Sequence, residues 1–189
     1  TLVLLVGTPF AYFLARRRLA GRGVLELLVE LPLVLPPVVA GLGMLMAFGR
    51  KGLLGGWLEG MGITLPFTTF AVVLAQVFVA APFYIRSARL GFQSVDQEFE
   101  DISLTMGKSP LETFWRVTLP LALPSVVGGL ALAWARAISE FGATLMVAGN
   151  FPGRTQTQPL AIMNALEVDL GAALALAMIL VIIAIAVLG

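Results

Sequence analysis

The sequence predicts an all-α membrane protein, a polytopic helical bundle, on three observations. Of the 189 residues, 59% are hydrophobic and only 12% charged, against roughly 25% charged in an ordinary soluble domain. The mean hydropathy is +0.96. Long uncharged apolar runs recur between short polar stretches, and about 20 such residues are what a helix needs to cross a bilayer.

The same composition removes several function classes. A formal charge of +1 gives no general electrostatic attraction to nucleic acid. Without Cys or His there are no disulfides, thiolate nucleophiles, His-based triads or usual zinc sites. Catalysis would have to come from carboxylates, hydroxyls or lysine.

The first apolar segment, Thr1 to Leu14, is too short to span, so a natural N-terminus is expected upstream. It is followed by a cluster of Arg16, Arg17, Arg18 and Arg22, which reads as a cytoplasmic loop. Segment two, about Leu25 to Phe48, contains Pro32, Pro36, Pro37, Gly41 and Gly43. The missing amide hydrogens predict a kinked or interrupted helix. After a Gly-rich turn come segment three, about Leu65 to Ile85, then a polar island, segment four, about Leu119 to Ile138, a polar loop, and segment five, about Leu170 to Leu188. Five membrane segments are expected, in a single transmembrane domain over 1–189. With the island cytoplasmic, eight basic residues (the cluster above with Arg86, Arg89, Lys108 and Arg116) fall inside against four (Arg50, Lys51, Arg136, Arg154) outside, the bias expected of that orientation.

The island, residues 95–120, carries five acidic residues of the chain's eleven. Asp96 can cap a helix over Gln97 to Met106, with Glu98 in its first turn. Phe99, Ile102 and Met106 then share a face, and Gly107 suits the left-handed residue that ends it. Ser109 and Glu112 have capping-box spacing and Pro110 takes the first helical position. Leu111, Phe114 and Trp115 share a face of this second helix, before Leu119-Pro120 opens segment four. The apolar face could lie on lipid or on protein; the acidic first half, repelled by anionic lipid, favours protein. Phe114 and Trp115 on a short helix suit anchors in a partner's pocket. "GKS" at residues 107–109 resembles the end of a nucleotide-binding loop, but Ile102 stands where that motif needs its first glycine. Nucleotide binding by that route is excluded.

These residues resemble the EAA loop of ABC importer permeases: Glu-Ala-Ala, three residues, Gly, nine residues, Ile, one residue, Leu-Pro. Asp101-Ile102-Ser103 stands for the triplet, Gly107 for the glycine, Val117 for the isoleucine, and Leu119-Pro120 closes the motif. The triplet departs from the pattern; the spacing is complete. "SEFGATLM" and "GNFPGRTQT", within residues 135–162, together with "LPLVLPPVVAGLGML" in segment two, are similar to molybdate permeases and more loosely to sulfate permeases.

The resemblance implies the type I importer fold with six helices in the complete subunit, and a multi-pass protein of the inner (plasma) membrane. It implies a homodimer, two cytoplasmic ABC ATPase subunits that hold ATP and magnesium, and an extracytoplasmic oxyanion-binding protein. No cofactor is expected on this chain. Residues 96–120 become the loop that docks on the ATPase, with Asp101, Gly107, Leu111, Glu112, Phe114, Trp115, Leu119 and Pro120 as candidate coupling residues. The expected motion is of the helices on either side of Gly107 as near-rigid bodies, in an alternating-access cycle that imports an oxyanion: molybdate first, with sulfate, thiosulfate and tungstate as alternatives.

Two further sets concern the pathway. Glu140 ends segment four, and Arg136, four residues earlier, can neutralise it. The pair reads either as an interfacial ion pair that orients the helix or, with Ser139 and Thr144, as a gate. Thr144, Asn150, Arg154, Thr155, Gln156, Thr157 and Gln158 offer donors for an anion, or make an ordinary polar loop. Gly128-Gly129 allows close approach between subunits or simple packing. A passive channel would need polar positions within its spans, and segments three and five offer few. A membrane enzyme would need convergent acid, base or metal ligands, and none is visible.

Overall fold

The computed structural model describes residues 2–17 and 21–188, and among them there is no β-strand. Arg18 of the first basic cluster and Thr1 of the first segment lie outside the described residues. The chain divides into two compact units, Thr1–Glu30 with Ala80–Ala133, and Leu31–Val79 with Trp134–Gly189.

In the first unit, α1 (Leu2–Arg16) lies against α5 (Thr69–Ser94). Gly7 faces the Tyr84 ring so closely that a Cβ there would meet Cδ1 at 2.8 Å. Thr8 and Tyr84 share a hydroxyl–hydroxyl hydrogen bond. Its second long helix begins with α7 (Pro110–Thr113), passes through a π-helical turn at Phe114–Thr118 and continues as α8 (Leu119–Ile138). α5 and α8 approach along small residues. A Cβ on Gly91 would lie 2.4 Å from the Ser125 Cβ, one on Gly129 would lie 2.7 Å from the Ser87 Cβ, and Ser87 Oγ donates to the Ser125 carbonyl at 2.8 Å. Small side chains let helix backbones meet where lipid supplies no hydrophobic drive. Gly129 is therefore spent on packing within the chain, while a Cβ on Gly128 would meet nothing within 4 Å among the described residues.

Segment two is interrupted, as its prolines require. α2 (Arg22–Val34) stops before Leu35 and α3 (Pro37–Phe48) starts with Pro37 in its first turn, with a bend of 118° between them. Leu35 and Pro36 each precede a proline, which disfavours helical backbone there.

In the second unit, α3 packs on α9 (Gly142–Ala148). The fit depends on Gly41, where a Cβ would meet the Ala143 carbonyl oxygen at 2.6 Å. Met44, Ala71, Val72, Ala75, Val79, Ala143, Val147 and Ala148 make the core here. α10 (Gln158–Val168) lies on α11 (Leu170–Leu188), and α4 (Gly55–Gly60) is a single short turn after α3.

Among the described residues three helices are long and apolar enough to cross a membrane, Thr69–Ser94, Pro110–Ile138 and Leu170–Leu188; the bent α2–α3 pair makes a fourth if it counts as one span, and α1 is a shorter apolar helix. Three boundaries differ from the sequence reading. Segment three begins later, at Thr69, because Phe67 holds φ at 61° and turns the chain, and it runs on to Ser94, taking in Arg86 and Arg89. Leu119-Pro120 does not open segment four, since the helix from Pro110 is continuous through it. The π-turn absorbs the amide hydrogen that Pro120 lacks, with Leu119 N donating to the Phe114 carbonyl. The polar loop after segment four contains α9 and α10.

Candidate functional site

The polar island folds as a helix–turn–helix. Asp96 caps α6 (Gln97–Thr105), its carboxylate accepting from Glu98 N at 3.0 Å. Gly107 has φ +83°, the left-handed conformation that an L side chain resists. Ser109 Oγ accepts from Glu112 N at 3.2 Å, which completes half the capping box. The Glu112 carboxylate turns instead to Lys108 Nζ at 2.9 Å and Arg116 Nε at 3.3 Å, pairs four residues apart on either side of it.

The apolar faces of the island remain open. Phe99, Ile102, Met106 and Val117 line a cleft of about 340 Å³, rimmed by Lys108, Glu112 and Arg116. Of the three aromatic and aliphatic positions read as one face, Leu111 and Trp115 are exposed by 69% and 60%. Phe114 turns inward: its ring stacks edge-on with Tyr12 at 5.0 Å and lies 6.0 Å from Phe92. The exposed grip is thus Leu111 and Trp115, and Phe114 seats the second helix on α1 and α5. Asp101, Gly107 and Pro120 are exposed, with Leu119 half-buried.

Beneath this surface is a polar set, buried at Ser103, Thr113 and Thr118 and half-buried at Arg16 and Glu100, that sequence reading did not single out. Glu100 Oε1 accepts from Arg16 Nε at 3.1 Å, Arg16 Nη2 at 2.7 Å and Thr118 Oγ1 at 2.7 Å. Arg16 Nη2 also donates to the Val95 carbonyl at 3.0 Å. Ser103 and Thr113, both buried, share a hydroxyl hydrogen bond of 2.9 Å. The available signal was the helical period: Glu100 and Ser103 sit three apart on α6, beside the Phe99–Ile102–Met106 stripe.

The pathway candidates occupy the second unit. Glu140 is fully buried, with Arg136 Nη2 2.7 Å from Oε2 and Ala143 N donating to Oε1 at 2.8 Å. The carboxylate thereby joins the end of α8 to the start of α9. Ser139 is exposed and donates to the Arg136 carbonyl at 3.2 Å. Thr144 is fully buried, and its hydroxyl has no hydrogen-bond partner among the described residues.

Three of the seven expected anion donors have side-chain partners within the chain. Asn150 Nδ2 donates to Asn164 Oδ1 at 2.8 Å, Thr155 Oγ1 accepts from Phe151 N at 3.1 Å, and Gln158 Nε2 donates to the Leu176 carbonyl at 3.1 Å. Arg154 is exposed, and its carbonyl accepts from Thr69 Oγ1 at 3.0 Å. The Thr157 hydroxyl and Asn150 Oδ1, both buried, have no hydrogen-bond partner among the described residues.

Bent and continuous apolar helices, with one polar helix–turn–helix between two of them, define a polytopic membrane component. The chain belongs to the family of binding-protein-dependent transport system inner membrane components, whose model matches residues 7–189. It is 49% identical over 92% of its length to the molybdenum transport system permease protein ModB of Mycobacterium tuberculosis, covering 66% of that protein. It is 37% identical to ModB of Escherichia coli K12, over 96% of this chain and 80% of that one. A probable sulfate transport permease, cysT of Nephroselmis olivacea, is 37% identical over 85% of the chain and 57% of its own. The chain spans about two thirds or less of the mycobacterial and sulfate relatives. In fold it is similar to a bacterial ABC transporter involved in alginate import, with a TM-score of 0.74 at 13% identity, covering 96% of this chain and 68% of that one.

Proposed function

We propose that the chain is the membrane-spanning subunit of an ATP-driven importer of molybdate. The observation that carries this reading is 37–49% identity to molybdenum permeases across nine-tenths or more of the chain. The subunit works as a homodimer, with two ABC ATPase subunits that supply ATP and magnesium, and with an extracytoplasmic binding protein that delivers the ion.

The island supports the mechanical half of the reading. Leu111 and Trp115 offer a rigid, exposed apolar edge beside the cleft lined by Phe99, Ile102 and Met106, which suits insertion into a groove of the ATPase. Closure of the ATPase dimer then displaces the island, and the attached long helices carry the displacement across the membrane as a change between inward-open and outward-open states. The relation to a sulfate permease favours sulfate as the second reading. ATPase stimulation in reconstituted vesicles separates the two: binding protein loaded with molybdate should stimulate hydrolysis, and stimulation by sulfate-loaded protein alone would overturn the first choice.

A further inference from the structure

We infer that Glu100 is a positioning residue that makes the polar island one lever fixed to α1, instead of two helices hinged at Gly107. The inference rests on the importer reading for its consequence in transport, and on geometry alone for the lever.

Five hydrogen bonds decide the mechanics. Glu100 on α6 reaches across the turn to Thr118 in the π-helical segment at 2.7 Å, and Ser103 reaches across it to Thr113 at 2.9 Å. Both links join α6 to the second helix, and the Ser103–Thr113 pair is buried. Arg16, at the end of α1, binds the same Glu100 oxygen twice and the Val95 carbonyl once. Its side chain is 11% exposed and that of Glu100 13%, so the charge pair is largely shielded from water and is a stiff link.

The glycine turn is itself closed. Met106 N donates to the Ile102 carbonyl, Gly107 N to Leu104 and Lys108 N to Ser103, the pattern of a finished helix end. Gly107 supplies φ +83°, and no neighbour lies within 4 Å of a Cβ built there. It shapes the turn, whereas Glu100 holds the two helices and α1 together. A push on Trp115 or Leu111 therefore moves α1, α6 and the start of α8 as one body. The π-turn that carries Thr118, with its wider hydrogen-bond spacing, is the yielding element next to the clasp.

The test uses the assembled transporter in proteoliposomes together with the full chain in lipid nanodiscs. Glu100→Gln should leave ATPase co-purification and basal hydrolysis intact while lowering molybdate imported per ATP by about tenfold, a coupling loss in the usual range. Arg16→Gln should lower the ratio as well, Arg16→Gln combined with Glu100→Gln should fall no lower than Arg16→Gln alone, and Glu98→Gln, on the exposed side of α6, should not change it. Because the chain has no cysteine, cysteines introduced at Phe13 and Glu98 can carry a single spin pair. Its distance distribution should be narrow in the parent and broad in Glu100→Gln.

Equal widths in the two proteins overturn the lever, whatever the transported ion. A narrow parent distribution that broadens in the variant, together with a parent that imports no oxyanion, upholds the lever and overturns the importer reading. An unchanged import ratio in Glu100→Gln, or a further loss in the double variant beyond Arg16→Gln, overturns the role of Glu100 in coupling.

Discussion

The guanidinium of Arg136 lies 2.7 Å from the carboxylate of Glu140, which is fully buried. A buried carboxylate without its partner costs about 3–5 kcal/mol. Arg136→Met should therefore lower the unfolding midpoint of the purified protein sharply, and Arg136→Met with Glu140→Gln should recover most of the loss. Thermal unfolding in detergent followed by tryptophan fluorescence checks this; additive losses would show that the two side chains do not act as a pair.

Phe114 and Trp115 are neighbours with different surroundings, so truncation should separate stability from assembly. Phe114→Ala empties the space against Tyr12 and Phe92 and should cost about 2–3 kcal/mol, below the 3–5 of a fully buried ring. Trp115→Ala should change stability by less than about 0.5 kcal/mol yet weaken ATPase co-purification about thirtyfold, corresponding to a hot-spot loss of about 2 kcal/mol. Melting curves and co-purification of both variants provide the comparison.

Gly128 and Gly129 should respond in opposite ways. Gly129→Val drives a side chain into Ser87 and should cost about 1–3 kcal/mol through overpacking. Gly128→Ala meets open space and should be neutral or slightly stabilising, since alanine favours helix by about 1 kcal/mol. Equal melting temperatures for the two variants would contradict the α5–α8 contact.

Gly107→Ala should destabilise by about 1–2 kcal/mol, the cost of placing a Cβ at a left-handed position, with Gly107→Asn between alanine and the parent. Hydrogen exchange of the island amides reads this locally. Uniform protection across the three proteins would mean that the positive φ is not required.

The elements legible in the sequence were those fixed by local chemistry. Asp96, Ser109 and Gly107 are helix punctuation that needs no distant partner, and Pro36-Pro37 interrupts a helix wherever it stands. What escaped was set by residues far apart in the chain. Phe114 turns inward because Tyr12 and Phe92 wait for it, Glu100 is recruited by Arg16, and α9 is stabilised by Gly41 lying against Ala143, not by an apolar stripe long enough to recognise. Within 150–158, sequence cannot show which polar side chains are already paired: Asn150, Thr155 and Gln158 meet Asn164, Phe151 and Leu176, whereas the buried Thr157 hydroxyl has no partner among the described residues.

The central claim is import of molybdate at the expense of ATP, and uptake by proteoliposomes holding the complete transporter, with binding protein present, tests it most directly. Molybdate should accumulate inside only when ATP is supplied to the ATPase side, and excess sulfate should compete weakly. Accumulation of sulfate alone, or molybdate entry without ATP, would contradict it.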